Sequence, residues 1–295
     1  MAQNKFRGLG VALITPFCTD GSIDFEALNR LVEYQIKGGV DFLCIMGTTA
    51  ETPTLSSEEK RLLKQHLVER VAGRVPLLMG CGGNNTTAIL YDLKNEDWRG
   101  IDGVLSVCPY YNKPSQEGLY QHFAAIAKAS PLPVVLYNVP GRTSVNMTAE
   151  TTLRLAHDFE NIVAIKEASG DITQMDDIIK NKPNRFDVIS GDDAITFPLI
   201  TLGAVGVISV IGNALPAEFS RMVRLALKKE YNTSLTIHHK FTELFKLLFV
   251  DGNPAGVKAM LSEMGLIQNV LRLPLVPTRL TTMEKISQIV KDLGY

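Results

Sequence analysis

The chain has 295 residues, of which 45% are hydrophobic and 21% charged, with a formal net charge of −1. This composition is typical of a soluble globular protein with a large core, and the charge argues against a partner such as nucleic acid or an anionic membrane. No segment approaches the length of a transmembrane span. We expect a cytoplasmic protein whose cysteines are reduced thiols: Cys18, Cys44, Cys81 and Cys108.

Apolar, strand-like runs alternate with helix-like segments along most of the chain. The runs lie near residues 8–17, 42–47, 75–82, 103–109, 134–140, 162–168, 186–191 and 206–212. The helix-like segments lie near residues 24–37, 57–72, 85–97, 116–129, 148–158, 172–181, 194–202 and 216–229. Runs rich in Val, Ile and Leu are typical of parallel strands buried on both faces. Eight such units predict an α/β fold, a (β/α)8 TIM barrel; the alternative is a doubly wound open sheet.

The strand signal stops beyond residue 230. The stretches 231–250, 254–264 and 281–293 are amphipathic at helical spacing, and 271–277 is a connector with two prolines. We therefore expect a barrel catalytic domain over residues 1–229. A small C-terminal helical region over residues 230–295 should pack on it.

Capping residues support the helix boundaries. Ser56 and Glu59 have the spacing of a capping box, and Asp24, Ser115 and Thr148 are predicted N-caps.

Lys166 comes directly after the apolar run 162–165, which is predicted to be a buried strand. Desolvating an ammonium group is costly, and burial favours the neutral amine, which can attack a carbonyl carbon. The simpler explanation is a strand-end lysine that pairs with a carboxylate such as Glu167. From this segment alone both explanations stand.

Other polar residues follow the predicted strands at the barrel end where active sites form. The segment 47–52 offers hydroxyls and backbone N–H groups suited to a carboxylate. Tyr137 and Lys166 end neighbouring strands and are expected within hydrogen-bond reach. Taken singly, such residues have structural explanations: threonines end strands, tyrosines belong to cores, and Arg142 can be a solvated charge.

No cluster of side chains predicts a metal or an organic cofactor. His238 and His239 lack carboxylates at metal-ligand spacing and are interpreted as structural. Residues 80–83 resemble a phosphate loop weakly, and a turn into a helix capped by Asn84 explains them. The pair Asp192-Asp193 suggests a catalytic or metal-binding site, and capping of the following helix explains it at least as well.

Five segments together resemble one family. They read G-T-T-A-E at 47–51, P-Y-Y-N-K-P at 109–114, Y-N-V-P-G-R-T at 137–143, I-K-E-A-S-G-D at 165–171 and G-V-I-S-V at 206–210. In this order and spacing they resemble the dihydrodipicolinate synthase family, one of the pyruvate-dependent Schiff-base aldolases. The resemblance implies a lyase that condenses pyruvate with L-aspartate 4-semialdehyde in lysine and diaminopimelate biosynthesis, without a metal or organic cofactor.

The resemblance also implies a role for each site residue. Lys166 would form the Schiff base with pyruvate, and Tyr137, Thr49 and Tyr111 would relay protons. Tyr111 would act in the site of a neighbouring subunit, in a homotetramer built as a dimer of dimers. The residues implied to bind substrate are Thr48, Thr49, Arg142, Gly191 and Ile208.

Three residues depart from the pattern of the family. Ala50 stands where glycine is usual, and it would be strained if its φ had to be positive, although we expect the turn to tolerate it. Ala88 replaces the glutamate that binds the amino group of the effector lysine, and Lys60 replaces a histidine of the effector loop. These changes predict weak or absent inhibition by lysine.

Two other functions compete with the synthase. An N-acetylneuraminate lyase or a 2-keto-3-deoxy sugar acid aldolase would share Lys166 and Tyr137, but Arg142 and the Thr48-Thr49 pair favour the synthase. A barrel that only senses a keto acid has no need of an amine together with a proton relay.

Overall fold

The computed structural model describes residues 4–295. Eight parallel strands form a closed barrel in chain order, and the last strand pairs with the first. The strands are β1 (Gly8–Ala12), β2 (Phe42–Ile45), β3 (Leu77–Gly80), β4 (Gly103–Val107), β5 (Val134–Asn138), β6 (Ile162–Glu167), β7 (Asp187–Ser190) and β8 (Gly206–Ser209). The predicted TIM barrel is confirmed, and the alternative of an open sheet is wrong.

Helices connect successive strands and continue beyond the barrel. They are α1 (Phe25–Lys37), α2 (Ser57–Val71), α3 (Thr86–Asn95), α4 (Gln116–Ala129), α5 (Pro140–Thr143), α6 (Ala149–Asp158), α7 (Ile172–Asn181), α8 (Thr196–Leu202), α9 (Pro216–Leu227), α10 (Tyr231–Lys240), α11 (Thr242–Leu247), α12 (Ala255–Glu263) and α13 (Leu280–Asp292). All the predicted helices are present, except that the stretch 231–250 forms two helices separated at Phe241.

The strands end before the apolar runs that predict them. The run 8–17 contains a strand only to Ala12, although Leu13 and Ile14 remain buried. Loop residues at the end of the barrel pack into the core. An apolar run in the sequence therefore predicts which residues are buried better than it predicts which residues pair within the sheet.

Most of the predicted caps are confirmed. Side-chain oxygens of Asp24, Ser56, Ser115 and Thr148 accept backbone N–H groups of the following helices. The prediction that Asn84 caps α3 is wrong, because Asn85 accepts the bond from the N–H of Ala88. Asn84 instead donates to the carbonyl of Tyr110, and so it joins two loops of the barrel end.

The interior of the barrel is apolar at one end and polar at the other. Phe6 and Phe42 fill the N-terminal end, with ring centroids 5.5 Å apart. Gly10 is required beside them, since a Cβ there would lie 2.1 Å from the Phe42 ring. The buried polar groups Thr49 and Lys166 lie after β2 and on β6, towards the carboxyl ends of the strands. The carboxyl end of the barrel is therefore where a functional site is expected.

The C-terminal helices share a core with the barrel. One apolar cluster includes Leu31 of α1, Leu63 of α2, Met260 of α12 and Ile286 of α13. The boundary after residue 229 stays a prediction. Within residues 4–295, none of the helices has the length and apolar character needed to cross a bilayer.

Candidate active site

Lys166 lies near the carboxyl end of β6, beside Tyr137 on β5. The two residues are partners in the register of the parallel strands. The Lys166 side chain is 6% exposed, and its Nζ lies 4.2 Å from the centroid of the Tyr137 ring. The predicted neighbours therefore meet, but the amine contacts the face of the ring, and among the described residues no hydrogen bond joins the two side chains.

The charge environment of Lys166 differs from that of the other buried lysines in residues 4–295. Lys64 pairs with Glu96, and Lys258 pairs with Glu51. Within the same part of the chain, Lys166 takes part in no ion pair with a carboxylate. A buried amine without a counter-charge is expensive as a structural element and suits a nucleophile.

The neighbouring carboxylate, Glu167, is directed to the other face of the strand, as alternation requires. It accepts hydrogen bonds from Asn138 Nδ2 at 3.2 Å, from the backbone N–H of Ser169 at 2.8 Å and from Gln174 Nε2 at 3.1 Å. Burial raises the pKa of Glu167, and these hydrogen bonds partly offset that effect. Glu167 therefore orders the loops after β5 and β6, and the simpler explanation of a Lys166–Glu167 pair is wrong.

A cavity of about 390 Å³ opens above Lys166 at the carboxyl end of the barrel. Two cationic side chains, Lys60 and Arg142, line it together with the amine of Lys166. Among the described residues that line it there is no Asp or Glu. The chain as a whole has a net charge of −1, so this concentration of positive charge is local and favours small anionic ligands.

The two threonines of the G-T-T-A-E segment lie on one wall of this cavity. They belong to a short 3₁₀ helix, Thr48–Ala50, that directly follows β2. The Thr49 side chain is 3% exposed, and its hydroxyl oxygen accepts a hydrogen bond from Asn253 Nδ2 at 3.0 Å. The Thr48 side chain is exposed at the surface of the cavity.

The unusual alanine of this segment is not strained. Glu51, and not Ala50, has the left-handed conformation in this turn, with a φ of 54°. Ala50 lies within the 3₁₀ helix, whose right-handed backbone conformation causes no strain in an alanine. The expectation that the turn tolerates Ala50 agrees with this geometry.

The other predicted substrate contacts lie at different depths. Arg142, on the short helix α5, lines the cavity from its exposed side. Gly191 follows β7 beside Lys166, since a Cβ there would lie 3.1 Å from Lys166 Cε. Ile208 is buried deeper, with its side chain in the interior of the barrel. Neither Gly191 nor Ile208 contributes to the wall of the cavity.

Tyr111 is the predicted site residue that lies apart from the rest. Its side chain is 89% exposed, on a loop after β4 where its φ is +72°. The neighbouring Tyr110 lines the cavity instead. Within one chain, the proton relay implied by the resemblance is therefore incomplete.

Comparison with known proteins agrees with this geometry. A model of the dihydrodipicolinate synthetase family matches residues 5–293. The chain belongs to this family. It is 70% identical over 293 residues to the 4-hydroxy-tetrahydrodipicolinate synthase of Phocaeicola vulgatus, with 99% of each chain covered.

Solved members of the dihydrodipicolinate synthase family have the same fold. The structure from Thermotoga maritima matches with a TM-score of 0.95 and 43% identity, covering 99% of each chain. A chloride-inhibited synthase from Acinetobacter baumannii, complexed with pyruvate, matches with a TM-score of 0.94 and 41% identity, covering 98% of this chain and 99% of its own. The predicted family, the synthase function and the lyase class are confirmed.

Two side chains of this family member contribute to the site without being predicted. Cys44 on β2 lines the cavity near Lys166, and burial raises the pKa of its thiol to about 11. The sequence could have predicted that Cys44 points inward, because side chains along a strand such as β2 alternate between its two faces. No local pattern in the sequence predicts that Asn253 contacts Thr49, because 204 residues separate the two along the chain.

The two acidic residues that follow β7 have different roles. Asp192 accepts a hydrogen bond from the N–H of Ala194 at 2.9 Å, as predicted for a cap. Asp193 is buried and accepts from the N–H groups of Val210 and Ile211, at 2.9 and 2.8 Å. Burial raises the pKa of Asp193 to about 6. Its interpretation as a cap is wrong, because it joins the ends of β7 and β8.

Proposed function

We propose that Lys166 forms a Schiff base with pyruvate and that the resulting enamine adds to L-aspartate 4-semialdehyde. The observation that carries this proposal is the buried amine without a carboxylate partner, at the base of a cavity lined by cations. Both substrates carry a carboxylate, which such a cavity attracts. The pyruvate complex of the Acinetobacter baumannii relative supports the same choice of first substrate.

The chemistry proceeds from that amine. Lys166 Nζ attacks the keto carbon of pyruvate, water leaves, and the iminium withdraws electrons so that the methyl group can lose a proton. The enamine carbon then forms the new C–C bond with the aldehyde carbon, whose oxygen takes up a proton. Attack by the amino group of the semialdehyde on the imine closes the ring and releases Lys166. One water is lost overall, and the lysine is regenerated.

Proton transfers in this sequence are assigned to Tyr137, Thr49 and Tyr111. Tyr137 lies beside the amine and acts as the general acid–base, and Thr49 passes the proton towards Tyr111. A positioned relay of this kind contributes roughly 10²–10⁴ in rate. The iminium itself serves as the electron sink, so the proposed reaction requires neither a metal nor an organic cofactor.

Carboxylate binding is assigned to the remaining residues. Thr48 and Thr49 hold the pyruvate carboxylate through hydroxyl and backbone N–H groups, together with backbone near Ile208. Arg142 binds the carboxylate of the semialdehyde in the fork geometry of its guanidinium. Gly191 leaves room for the Lys166 side chain and for the incoming substrate.

The exposed Tyr111 supports a homo-oligomer in which this side chain enters the cavity of a second copy, in a tetramer built as a dimer of dimers. Mixing Tyr111→Phe with Lys166→Met tests it, since each variant should be inactive alone. Subunit exchange should restore activity, because one subunit supplies the lysine and the other the tyrosine. Failure of the mixture to recover activity in a verified hetero-oligomer would exclude the shared site.

Borohydride reduction in the presence of pyruvate tests the covalent step. Peptide mapping should place the reduced pyruvyl group on Lys166, with parallel loss of activity. Lys258 provides an internal control, because it is also buried but is paired with Glu51. Modification of Lys258 instead, or full activity of a folded Lys166→Met variant, would contradict the proposal.

A substrate comparison separates the synthase from its rivals. Turnover with aspartate semialdehyde but not with N-acetylmannosamine supports the synthase, and the reverse result would indicate the lyase. We place the reaction in lysine and diaminopimelate biosynthesis, in the cytoplasm. The four cysteines are all free, which supports a reducing compartment.

A further inference from the structure

A buried carboxylate lies next to Lys166 along β6 and is hydrogen-bonded to β5. Tyr137 pairs with Lys166 in the register of the two strands, and Asn138 pairs with Glu167 at the next position. The side chains of Asn138 and Glu167 are both fully buried. We propose that Glu167 is a positioning residue whose hydrogen bonds fix the loop that presents Arg142 to the second substrate. This inference rests on the proposed function.

The groups around the Glu167 carboxylate are all hydrogen-bond donors. Asn138 Nδ2 lies 3.2 Å from both oxygens, the backbone N–H of Ser169 donates to Oε1 at 2.8 Å, and Gln174 Nε2 donates to Oε2 at 3.1 Å. The orientation of the Asn138 amide is fixed independently, because its Oδ1 accepts the backbone N–H of Met147 at 3.0 Å. The surroundings therefore require an acceptor at both oxygens, which a carboxylate provides and an amide does not.

The same donors close the base of the loop that follows β5. Asn138 Nδ2 also donates to Asn146 Oδ1 at 2.8 Å, and Asn146 Nδ2 donates to Gln174 Oε1 at 2.8 Å. Gln174 Nε2 donates in addition to the carbonyl of Met147 at 3.2 Å. The two ends of the loop 138–147 are thus joined to each other and to the start of α7 around one buried carboxylate.

Arg142 depends on this loop for its position. It lies on α5, lines the cavity and is exposed. Within residues 4–295 its side chain has no hydrogen-bond partner, so the backbone of the loop places the guanidinium. Two buried residues of the loop, Val145 and Met147, anchor that backbone close to the carboxylate. Bidentate binding of a carboxylate requires a defined geometry, so a shift at the base of the loop should weaken binding at Arg142.

Lys166 is held in a different way. Its backbone pairs with β5 on one side and with β7 on the other. Its side chain lies on the face of β6 opposite to Glu167, since side chains alternate along a strand. Loss of the Glu167 hydrogen bonds should therefore displace Arg142 and leave the reaction of the amine with pyruvate intact.

Glu167→Gln tests the need for an acceptor with little change of shape. The new amide nitrogen must face a donor, and only the Gln174 side chain can turn away, because the backbone N–H of Ser169 is fixed. We expect KM for L-aspartate 4-semialdehyde to rise about 10-fold. The rate of borohydride trapping with pyruvate should stay within about two-fold of the wild-type rate. A wild-type KM for the semialdehyde, or a trapping rate that falls about 10-fold, would overturn the proposal.

Gln174→Ala keeps the test decisive if Glu167→Gln does not fold. Gln174 is half-buried at the start of α7, and its loss frees the carbonyl of Met147 without changing a strand. KM for the semialdehyde should rise in this variant too. Asp187→Asn is the matched control, because it removes a buried carboxylate that pairs with Arg7 at the opposite end of the barrel. An equal rise of KM in Asp187→Asn would show a merely structural role.

A double variant separates this inference from the proposed function. Arg142→Ala alone should raise KM for the semialdehyde, and Glu167→Gln should add little to that rise once the guanidinium is absent. Additive effects would refute the inference. A wild-type KM in Arg142→Ala would instead refute the role that the proposed function gives to Arg142. Absence of borohydride labelling at Lys166 in the wild-type protein would refute the proposed Schiff base.

Discussion

The buried ion pair between Lys258 and Glu51 is the most consequential contact between the C-terminal region and the active-site turn. Both side chains are fully buried. Burial lowers the pKa of Lys258 to about 8, against the opposing effect of Glu51. Lys258→Met would leave the Glu51 carboxylate in the core with the backbone N–H of Arg272 as a remaining donor. Removing one partner of such a pair costs about 3–5 kcal/mol.

The corresponding change in melting temperature follows from chain length. Unfolding entropy of about 2.1 cal/mol/K per residue, over 295 residues, is about 0.6 kcal/mol/K. The variant should therefore melt about 5–8 °C below the wild type. The double variant Glu51→Gln with Lys258→Met should recover much of this, because it leaves no unpaired buried charge.

Calorimetry and denaturant titration of the single and double variants measure the effect. Arg61→Met is the control, since it breaks an exposed ion pair with Glu58 and should not change the melting temperature measurably. A loss below about 1 kcal/mol in Lys258→Met, or a double variant as unstable as the single one, would refute the reasoning.

Three further outcomes are expected. Gly191→Ala should lower kcat and the rate of borohydride trapping by about 10²-fold, because the new Cβ would lie 2.7 Å from the Cβ of Ala168 and 3.1 Å from the Cε of Lys166, so that the end of β6 and its lysine must shift; Gly141→Ala, where a Cβ meets nothing within 4 Å, should leave both unchanged. Asp193 has its pKa raised from 3.8 to about 6, so its contribution to stability is full below 3.8 and is lost as pH rises through about 6. Relative to Asp193→Asn, the wild type should lose about 1.4 kcal/mol per pH unit in that window by denaturant titration, and parallel curves would contradict this. Lysine should inhibit weakly, because Ala88 and Lys60 offer no anion to its amino group, a loss of about 1.5–3 kcal/mol in binding; a micromolar inhibition constant would show this prediction to be wrong.

Local patterns in the sequence were sufficient for the fold and for most of the cavity. Burial on both faces makes each parallel strand a short apolar run, and the helix caps lie within four residues of the groups they bind. Thr48, Arg142 and Lys166 could be placed at one end of the barrel because strand ends meet there in any barrel. The ends of strands and the division of residues 231–250 could not be placed, since loop residues and the packing of Phe241 decide them.

The amino-acid sequence by itself determined that eight strand–helix units form and that a lysine would lie near the end of one buried strand. Only the tertiary structure decided what surrounds those residues. It directed Glu167 away from Lys166, left Tyr111 outside the cavity of its own chain, and brought Asn253 to Thr49 across 204 residues. The periodicity of apolar residues predicts which neighbouring residues share one face of a helix or strand. Contacts between residues about 200 positions apart depend instead on how whole helices and strands pack.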